Sequence, residues 1–325
     1  MRDNYGRTIS YMRMSVTDRC NLRCRYCMPE SGINKLEHDK ILSFEDIIAI
    51  AEAASDLGIS KIRLTGGEPL VRRNITGLVS QLAGIPGIEE VTLTTNGTLF
   101  ARMVKALRAG GLKRVNFSLD SLSAEKYDYI TRGGCLEDAW KGILAAMEAG
   151  MYPVRLNRVG IKGFNDDEIL KFADLAHRFP LQIRFIEFMP VGDLLFWDES
   201  KVITIKEVKA ILNKHYNLLP VAQVGNGPAE HFNLEGGQGG IGFISPMSNH
   251  FCDRCNRIRL TAEGKLRNCL YDYHETDLKA ALLQGINRQE LRQLLAQAIS
   301  RKPERHHMDT GWGEANNRKM YQIGG

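Results

Sequence analysis

The chain has 325 residues, 43% of them hydrophobic and 25% charged, with 43 Lys and Arg against 38 Asp and Glu for a net charge of +5. That length and apolar fraction suit one large or two modest domains with a sizeable core, and the absence of any low-complexity tract or repeat period excludes a solenoid. The charge is too small to name a partner by itself: an anionic substrate, nucleic acid or neither fits.

In chain order, the start Met1-Arg2-Asp3 has no apolar signal core, and no apolar run reaches the length of a membrane helix. A soluble protein of the reducing cytoplasm, without a membrane partner, is expected. A β-branched, alternating run predicts a strand over Tyr11–Val16, followed by a loop with thiols at Cys20, Cys24 and Cys27. Ser43 with Asp46 three residues on reads as a capping box opening a helix that stops at Gly58. Further strands are predicted over Ser60–Thr65, Glu90–Thr95, Leu112–Leu119, Pro153–Val159 and Leu181–Phe188. Helical patterns over Arg73–Leu82, Leu99–Ala109, Leu136–Ala149 and Asp166–Arg178 separate them. Cys135, after Gly133-Gly134, reads as a small, partly buried thiol without chemistry. This alternation predicts an α/β fold: an incomplete (β/α)6 TIM-type barrel over residues 1–190, open on one side to a large substrate.

Residues 191–325 form a second region by the same reading. Thr204 caps a helix through Tyr216, and the glycine-rich stretch Gly225–Gly242 reads as a loop-rich link. A short β-rich part with a second thiol set, Cys252, Cys255 and Cys269, follows. Terminal helices and a Gly324-Gly325 tail, which composition alone would leave frayed, complete the chain.

The first thiol set has the spacing C-x3-C-x2-C and no obvious fourth ligand. A cubane [4Fe-4S] cluster is usually held by four thiolates, so three leave one iron free for a small molecule. Structural zinc is normally four-coordinate and favours C-x2-C pairs completed by two further ligands. The second set, C-x2-C-x13-C, taken alone fits zinc somewhat better than a cluster, with His250 or His274 as fourth ligand.

Strand parity points to the substrate. Met12, Met14 and Val16 oppose Arg13, Ser15 and Thr17; Ile62 and Leu64 oppose Arg63 and Thr65; Leu156 opposes Arg155 and Asn157. Apolar sets should face the helices, which puts Arg13, Arg63 and Arg155 in the barrel lumen, where branched aliphatics are usual. Converging guanidinium groups imply a multiply charged anion such as a triphosphate; the alternative is that each pairs with a neighbouring carboxylate. Polar clusters follow the strands at Thr17-Asp18-Arg19-Cys20, Thr65-Gly66-Gly67-Glu68, Thr94-Thr95-Asn96-Gly97, Ser118-Leu119-Asp120, Asn157 and Glu187-Phe188-Met189. In barrel enzymes this rim is catalytic.

Cys20-x3-Cys24-Arg25-Tyr26-Cys27 resembles the signature of the radical S-adenosylmethionine (SAM) superfamily, and Gly66-Gly67-Glu68-Pro69 its GGEP motif. The resemblance implies SAM chelated by the open iron of the first cluster, with Tyr26, Gly67, Ser118 and Met189 as SAM contacts. Beside such a loop, the second thiol set is better read as a second [4Fe-4S] cluster with its own open iron. That set, Arg257-Ile258-Arg259 after it and the terminal Gly-Gly look like the GTP 3',8-cyclase family of molybdenum-cofactor biosynthesis, over essentially the whole chain.

This likeness implies a lyase in which a 5'-deoxyadenosyl radical takes the C3' hydrogen of GTP, C3' bonds to C8, and (8S)-3',8-cyclo-7,8-dihydroguanosine 5'-triphosphate results. GTP contacts would be Arg13, Arg63, Thr94, Arg155, Arg257, Ile258 and Arg259. The second cluster would bind guanine, and Arg257, Arg259, Gly324 and Gly325 would act at the reacting substrate. Implied partners are a downstream cyclic pyranopterin monophosphate synthase, a reductant such as flavodoxin, and a second copy of the chain as homodimer. Arg155 stands where the family pattern has lysine, and Arg158 where its strand continues with an aliphatic residue. The rival readings are a radical SAM peptide modifier with an auxiliary cluster, and a zinc-ribbon protein binding nucleic acid. The latter's stripes of aromatic and basic residues are not evident.

Overall fold

The computed structural model describes residues 1–222, 227–306 and 318–324. Its strands are β1 (Tyr11–Ser15), β2 (Lys61–Thr65), β3 (Glu90–Thr95), β4 (Leu112–Ser118), β5 (Val154–Gly160), β6 (Leu181–Glu187), β7 (Leu218–Pro220), β8 (Glu230–Leu234), β9 (Gly240–Ile244), β10 (Arg257–Leu260), β11 (Lys265–Arg267) and β12 (Thr276–Asp277). The helices are α1 (Phe44–Ser55), α2 (Ile75–Ala83), α3 (Phe100–Ala109), α4 (Ala124–Thr131), α5 (Leu136–Glu148), α6 (Ile169–Arg178), α7 (Ile205–Leu212), α8 (Leu278–Leu283), α9 (Arg288–Ser300) and α10 (Met320–Ile323).

All strands join one 12-stranded sheet in the order β12-β11-β10-β1-β2-β3-β4-β5-β6-β9-β8-β7. The pairs from β10 through β1 to β6 and on to β9 are all parallel. The six-unit barrel expected from periodicity is therefore present and gains a parallel strand on each edge from the C-terminal region. No β9–β10 pairing closes the ring among the described residues. Parity holds as expected: Met12, Met14, Ile62, Leu64, Val115 and Leu156 are fully buried in the layer between sheet and helices.

Local signals explain most boundaries. The Ser43 side chain accepts from Asp46 N at 3.0 Å while Asp46 accepts from Ser43 N at 2.9 Å, a reciprocal box that starts α1. A second box, Thr204 with Glu207, starts α7, which ends at Leu212 rather than running to Tyr216.

Three features depart from the sequence reading. The glycine-rich stretch contains β8 and β9 rather than a loop. Its glycines sit where backbone approaches closely: a Cβ on Gly239 would lie 2.1 Å from the Leu181 carbonyl oxygen, and one on Gly240 would lie 2.8 Å from the Phe232 carbonyl oxygen. Residues chosen for lack of a side chain carry no alternating pattern, so the strand was illegible. Helix α4 has no long apolar stripe and buries Tyr127, Ile130 and Thr131; its signal is the Ser123 cap, which accepts from Lys126 N at 3.4 Å. Cys135 is exposed rather than partly buried, at the N-cap of α5. Gly225 and Gly325 lie outside the described residues. Among the described residues no helix is long and apolar enough to cross a membrane.

Candidate active site

The first thiol loop leaves β1 at the C-terminal end of the parallel strands and is held from two sides. Arg23 N donates to Thr131 O at 3.1 Å and Arg25 N to Ile130 O at 2.9 Å, while the Arg132 guanidinium caps the carbonyls of Arg23 and Met28 at 3.1 and 2.8 Å. The end of α4, unread in the sequence, is thus the loop's anchor. On the other side Gly67 N donates to Thr17 O and Glu68 N to Arg19 O, both at 2.8 Å. A Cβ on Gly67 would lie 2.3 Å from the Arg19 carbonyl oxygen, so glycine is required here by the approach of two backbones.

Burial pushes the Cys20 thiol up to about 11 and, with the neighbouring Cys27 and Cys20, drives Cys24 well above its ordinary value. Thiols that repel one another's charge and have lost water keep their protons until a metal group replaces them. Tyr26 donates its hydroxyl to Asp120 Oδ2 at 2.6 Å, and its carbonyl accepts from Asp193 N at 2.9 Å, fixing the residue before Cys27.

The second set lies across the barrel mouth. Cys252 and Cys255 bracket a short 3-10 turn before β10, and Cys269 follows β11. Burial raises the Cys255 thiol, but Arg257 and Lys302 outweigh it and bring the group down to about 6. Neither histidine named as a zinc ligand completes a tight site: His250 Nδ1 lies 3.0 Å from Pro246 O, and His274 is exposed beside Asp272. Among the described residues no group of His, Cys, Asp or Glu is gathered closely enough to hold a single metal ion. A four-iron cluster is a larger group, and each set offers it three half-buried thiols.

Between the thiol sets is a cavity of ≈ 380 Å³, lined by Cys27 on one side and by Cys252, Cys255 and Cys269 on the other. Its wall carries the expected Arg13, Arg63, Thr94 and Arg155, joined by Arg114, Arg184, Arg257 and Arg259. Register produces the convergence. Arg259, Arg13, Arg63 and Thr92 are successive partners across β10, β1, β2 and β3, with Thr92 opposite Arg114 on β4; Arg155 and Asn157 on β5 face Asn116 on β4 and Arg184 on β6. Arg184 carries the same signal in the sequence: alternation along Leu181–Glu187 sets it with Gln182 and Ile186, opposite Ile183 and Phe185.

Few anions balance this row. Glu90 is engaged by Arg114 and, at 3.9 Å, by Lys61, and Asp120 by Tyr26. Nε of Arg13, Arg155 and Arg184, Oγ1 of Thr94 and both amide atoms of Asn116 are buried without a hydrogen-bond partner. Burial and then the surrounding arginines hold Arg13 and Arg184 well below the usual guanidinium range, and Arg155 at about 9. The same field reaches Tyr11: burial would raise its hydroxyl, yet Arg63, Arg13, Arg257 and Arg259 together lower it. Leaving buried cations uncompensated costs several kcal/mol each, so the wall suits a polyanion.

The remaining candidates divide. Tyr26, Ser118 and Met189 line the cavity; Gly67 lies behind it, against the thiol loop. Ile258, an expected GTP contact, is instead fully buried in the core layer opposite Met12, on the helix side of the sheet and away from the cavity wall. Glu187, read as part of the catalytic rim, is a joint: it accepts from Ile205 N at 2.9 Å, Met247 N at 2.9 Å and Ser248 N at 3.0 Å. Arg158 lies on the helix side, over the rings of Phe172 and Phe185 at 5.0 and 5.4 Å. Gly324 is held at the cavity wall, its carbonyl oxygen accepting from Arg259 Nη1.

Comparison with known proteins agrees with this geometry. The Radical SAM superfamily matches residues 14–176 and Molybdenum Cofactor Synthesis C residues 181–308. Over the full length of both chains, 58% of residues are identical to a GTP 3',8-cyclase of Syntrophomonas wolfei subsp. wolfei and 52% to one of Moorella thermoacetica. Streptococcus suis SuiB bound to S-adenosylmethionine superposes with a TM-score of 0.58 at 13% identity, a likeness of fold covering 85% of this chain and 63% of SuiB.

Proposed function

The chain belongs to the GTP 3',8-cyclase family of the radical SAM superfamily, and we propose that its cavity holds GTP between a SAM-binding cluster on Cys20, Cys24 and Cys27 and a second cluster on Cys252, Cys255 and Cys269. With cluster and SAM bound, the chemistry supplied would be a 5'-deoxyadenosyl radical that takes the C3' hydrogen of GTP; C3' would then bond to C8, and one electron from the reductant with one proton would complete (8S)-3',8-cyclo-7,8-dihydroguanosine 5'-triphosphate, an isomer of GTP. The protein contributes binding, orientation and the exclusion of competing hydrogen donors.

Arg13, Arg155 and Arg184 hold the triphosphate through charge-assisted bonds that use their unpartnered Nε–H groups, Arg63, whose Nε donates to Thr92 Oγ1 at 3.2 Å, adds its terminal N–H groups, and Thr94 and Asn116 supply neutral polar contacts. Arg257 and Arg259 act on the purine side, beside the second thiol set. Tyr26, Ser118 and Met189 seat SAM, and Gly67 holds the first loop at the separation its backbone contacts require. The Gly324-Gly325 tail closes the site beside Arg259. We further propose a division at residue 190, cytoplasmic residence, a reductant such as flavodoxin, a downstream cyclic pyranopterin monophosphate synthase, and a homodimer.

The observation that carries this reading is one cavity bordered by thiols of both sets and walled by arginines that carboxylates do not balance. It favours a polyanionic substrate over a peptide. The test is anaerobic turnover with SAM, dithionite and GTP. Formation of 5'-deoxyadenosine should depend on GTP and be matched by a product of the same mass as GTP. Cleavage that ignores GTP but responds to a peptide would reject the assignment.

A further inference from the structure

Lys302 is a buried cation that the reading above does not use. It is 2% exposed, just past the end of α9, where its N–H donates to Ile299 O at 3.0 Å. Its Nζ donates to Arg257 O at 2.8 Å and to Asn268 O. Arg257 lies two residues after Cys255, and Asn268 immediately precedes Cys269. The ammonium therefore bridges the two segments that carry those thiols.

Other cations lie in this region: the Arg257 guanidinium, which acts on Cys255 directly, and Arg7, whose setting differs from that of Lys302. Arg7 donates to Cys252 O at 2.8 Å and to Glu304 O and Pro303 O at 2.7 Å, but Asp3 neutralises it at 2.6 Å. Among the described residues no carboxylate lies in ion-pair reach of Lys302. A buried ammonium satisfied by neutral carbonyls alone is unfavourable, and an ammonium has a third donor beyond the two in use. Thiolates are the anions that Cys252, Cys255 and Cys269 can present once a metal group displaces their protons.

We propose that Lys302 is a buried counter-charge of the second thiol set, alongside Arg257, and tunes the reduction potential of the cluster held there. This rests on the reading that Cys252, Cys255 and Cys269 bind a cluster. Net charge and hydrogen bonding around the sulfurs govern such potentials. A fixed positive charge favours the state with one more electron, so Lys302 raises the midpoint.

The experiment is a redox titration followed by electron paramagnetic resonance on reconstituted full-length protein, wild type first. Stoichiometric zinc, or iron for one cluster alone, in the wild type would end the second-cluster reading and this proposal with it. With both clusters present, Lys302→Gln, which removes the charge and keeps a polar N–H donor, should move the second midpoint to more negative potential and leave the first unchanged. Lys302→Arg should stay near wild type. An unshifted second midpoint in a fully loaded Lys302→Gln protein overturns the proposal. Should Lys302→Gln fail to retain the second cluster, Lys302→Arg decides: retention with a wild-type midpoint supports the counter-charge, and loss shows that shape rather than charge is what the site needs.

Discussion

Arg259 Nη1 lies 3.2 Å from the carbonyl oxygen of Gly324, across 65 residues of chain, so the arginine at the cavity wall holds the end of the tail. Gly324 has φ +78°, and a Cβ there would lie 2.6 Å from Thr65 Oγ1 and 3.2 Å from Ser15 Cβ. Both backbone conformation and space require glycine.

Gly324→Ala should therefore expel the tail from its seat without unfolding the barrel, to which a terminal segment contributes little. Cluster content and GTP affinity should stay near wild type, while cyclised product falls at least about tenfold relative to 5'-deoxyadenosine, since small misplacements are costly at a reacting centre. Product formed at the wild-type ratio would remove the tail from the mechanism.

The lumenal arginines should affect substrate and leave both thiol sets intact. Arg63→Ala and Arg155→Ala are expected to weaken GTP binding and to lower coupled turnover by roughly a hundredfold, with both clusters retained. Arg155→Lys should do better than Arg155→Ala because charge survives although the planar fork is lost. Equal GTP affinity in all three, measured by equilibrium binding, would show that the arginines serve the fold instead.

The thiol sets should separate by iron analysis. Cys24→Ala should lose about four irons and all SAM cleavage, and Cys255→Ala about four irons, cyclised product and little of the cleavage. Equal loss of cleavage in both variants would argue against two roles.

Glu68 offers a pH test. Its carboxylate accepts from Leu70 N at 3.0 Å, Thr95 Oγ1 at 2.8 Å and Asn96 N at 2.7 Å, yet burial raises it from an ordinary 4.5 to about 7. Folding then takes up a proton between those values, so the stability it contributes is full below about 4.5 and is lost as pH rises through about 7. Glu68→Gln has no such dependence. Between pH 5 and 8 wild type should lose up to about 3 kcal/mol relative to the variant in urea unfolding; a constant gap would mean that Glu68 ionises at its ordinary value.

Much of this protein was determined by local chemistry that a sequence displays. Thiol spacing, the Ser43–Asp46 box and the two-residue alternation of β1, β2 and β5 are short-range properties, and they placed Cys20, Cys24, Cys27, Arg13, Arg63 and Arg155 correctly relative to their own strands. What lies between strands was decided by tertiary structure. Register brings Arg259 beside Arg13 from a strand more than 240 residues away, and no periodicity within either segment encodes that neighbour. The glycines of β9 record the absence of a side chain, which becomes informative only once β6 lies against them. Lys302 looks like any surface lysine in the sequence; its burial between Arg257 and Asn268 exists because α9 returns to the sheet at the second thiol set. Propensity and spacing act over a few residues, whereas the electrostatics of this cavity arise from charges that the fold gathers from strands as far apart in the chain as those of Arg13 and Arg259.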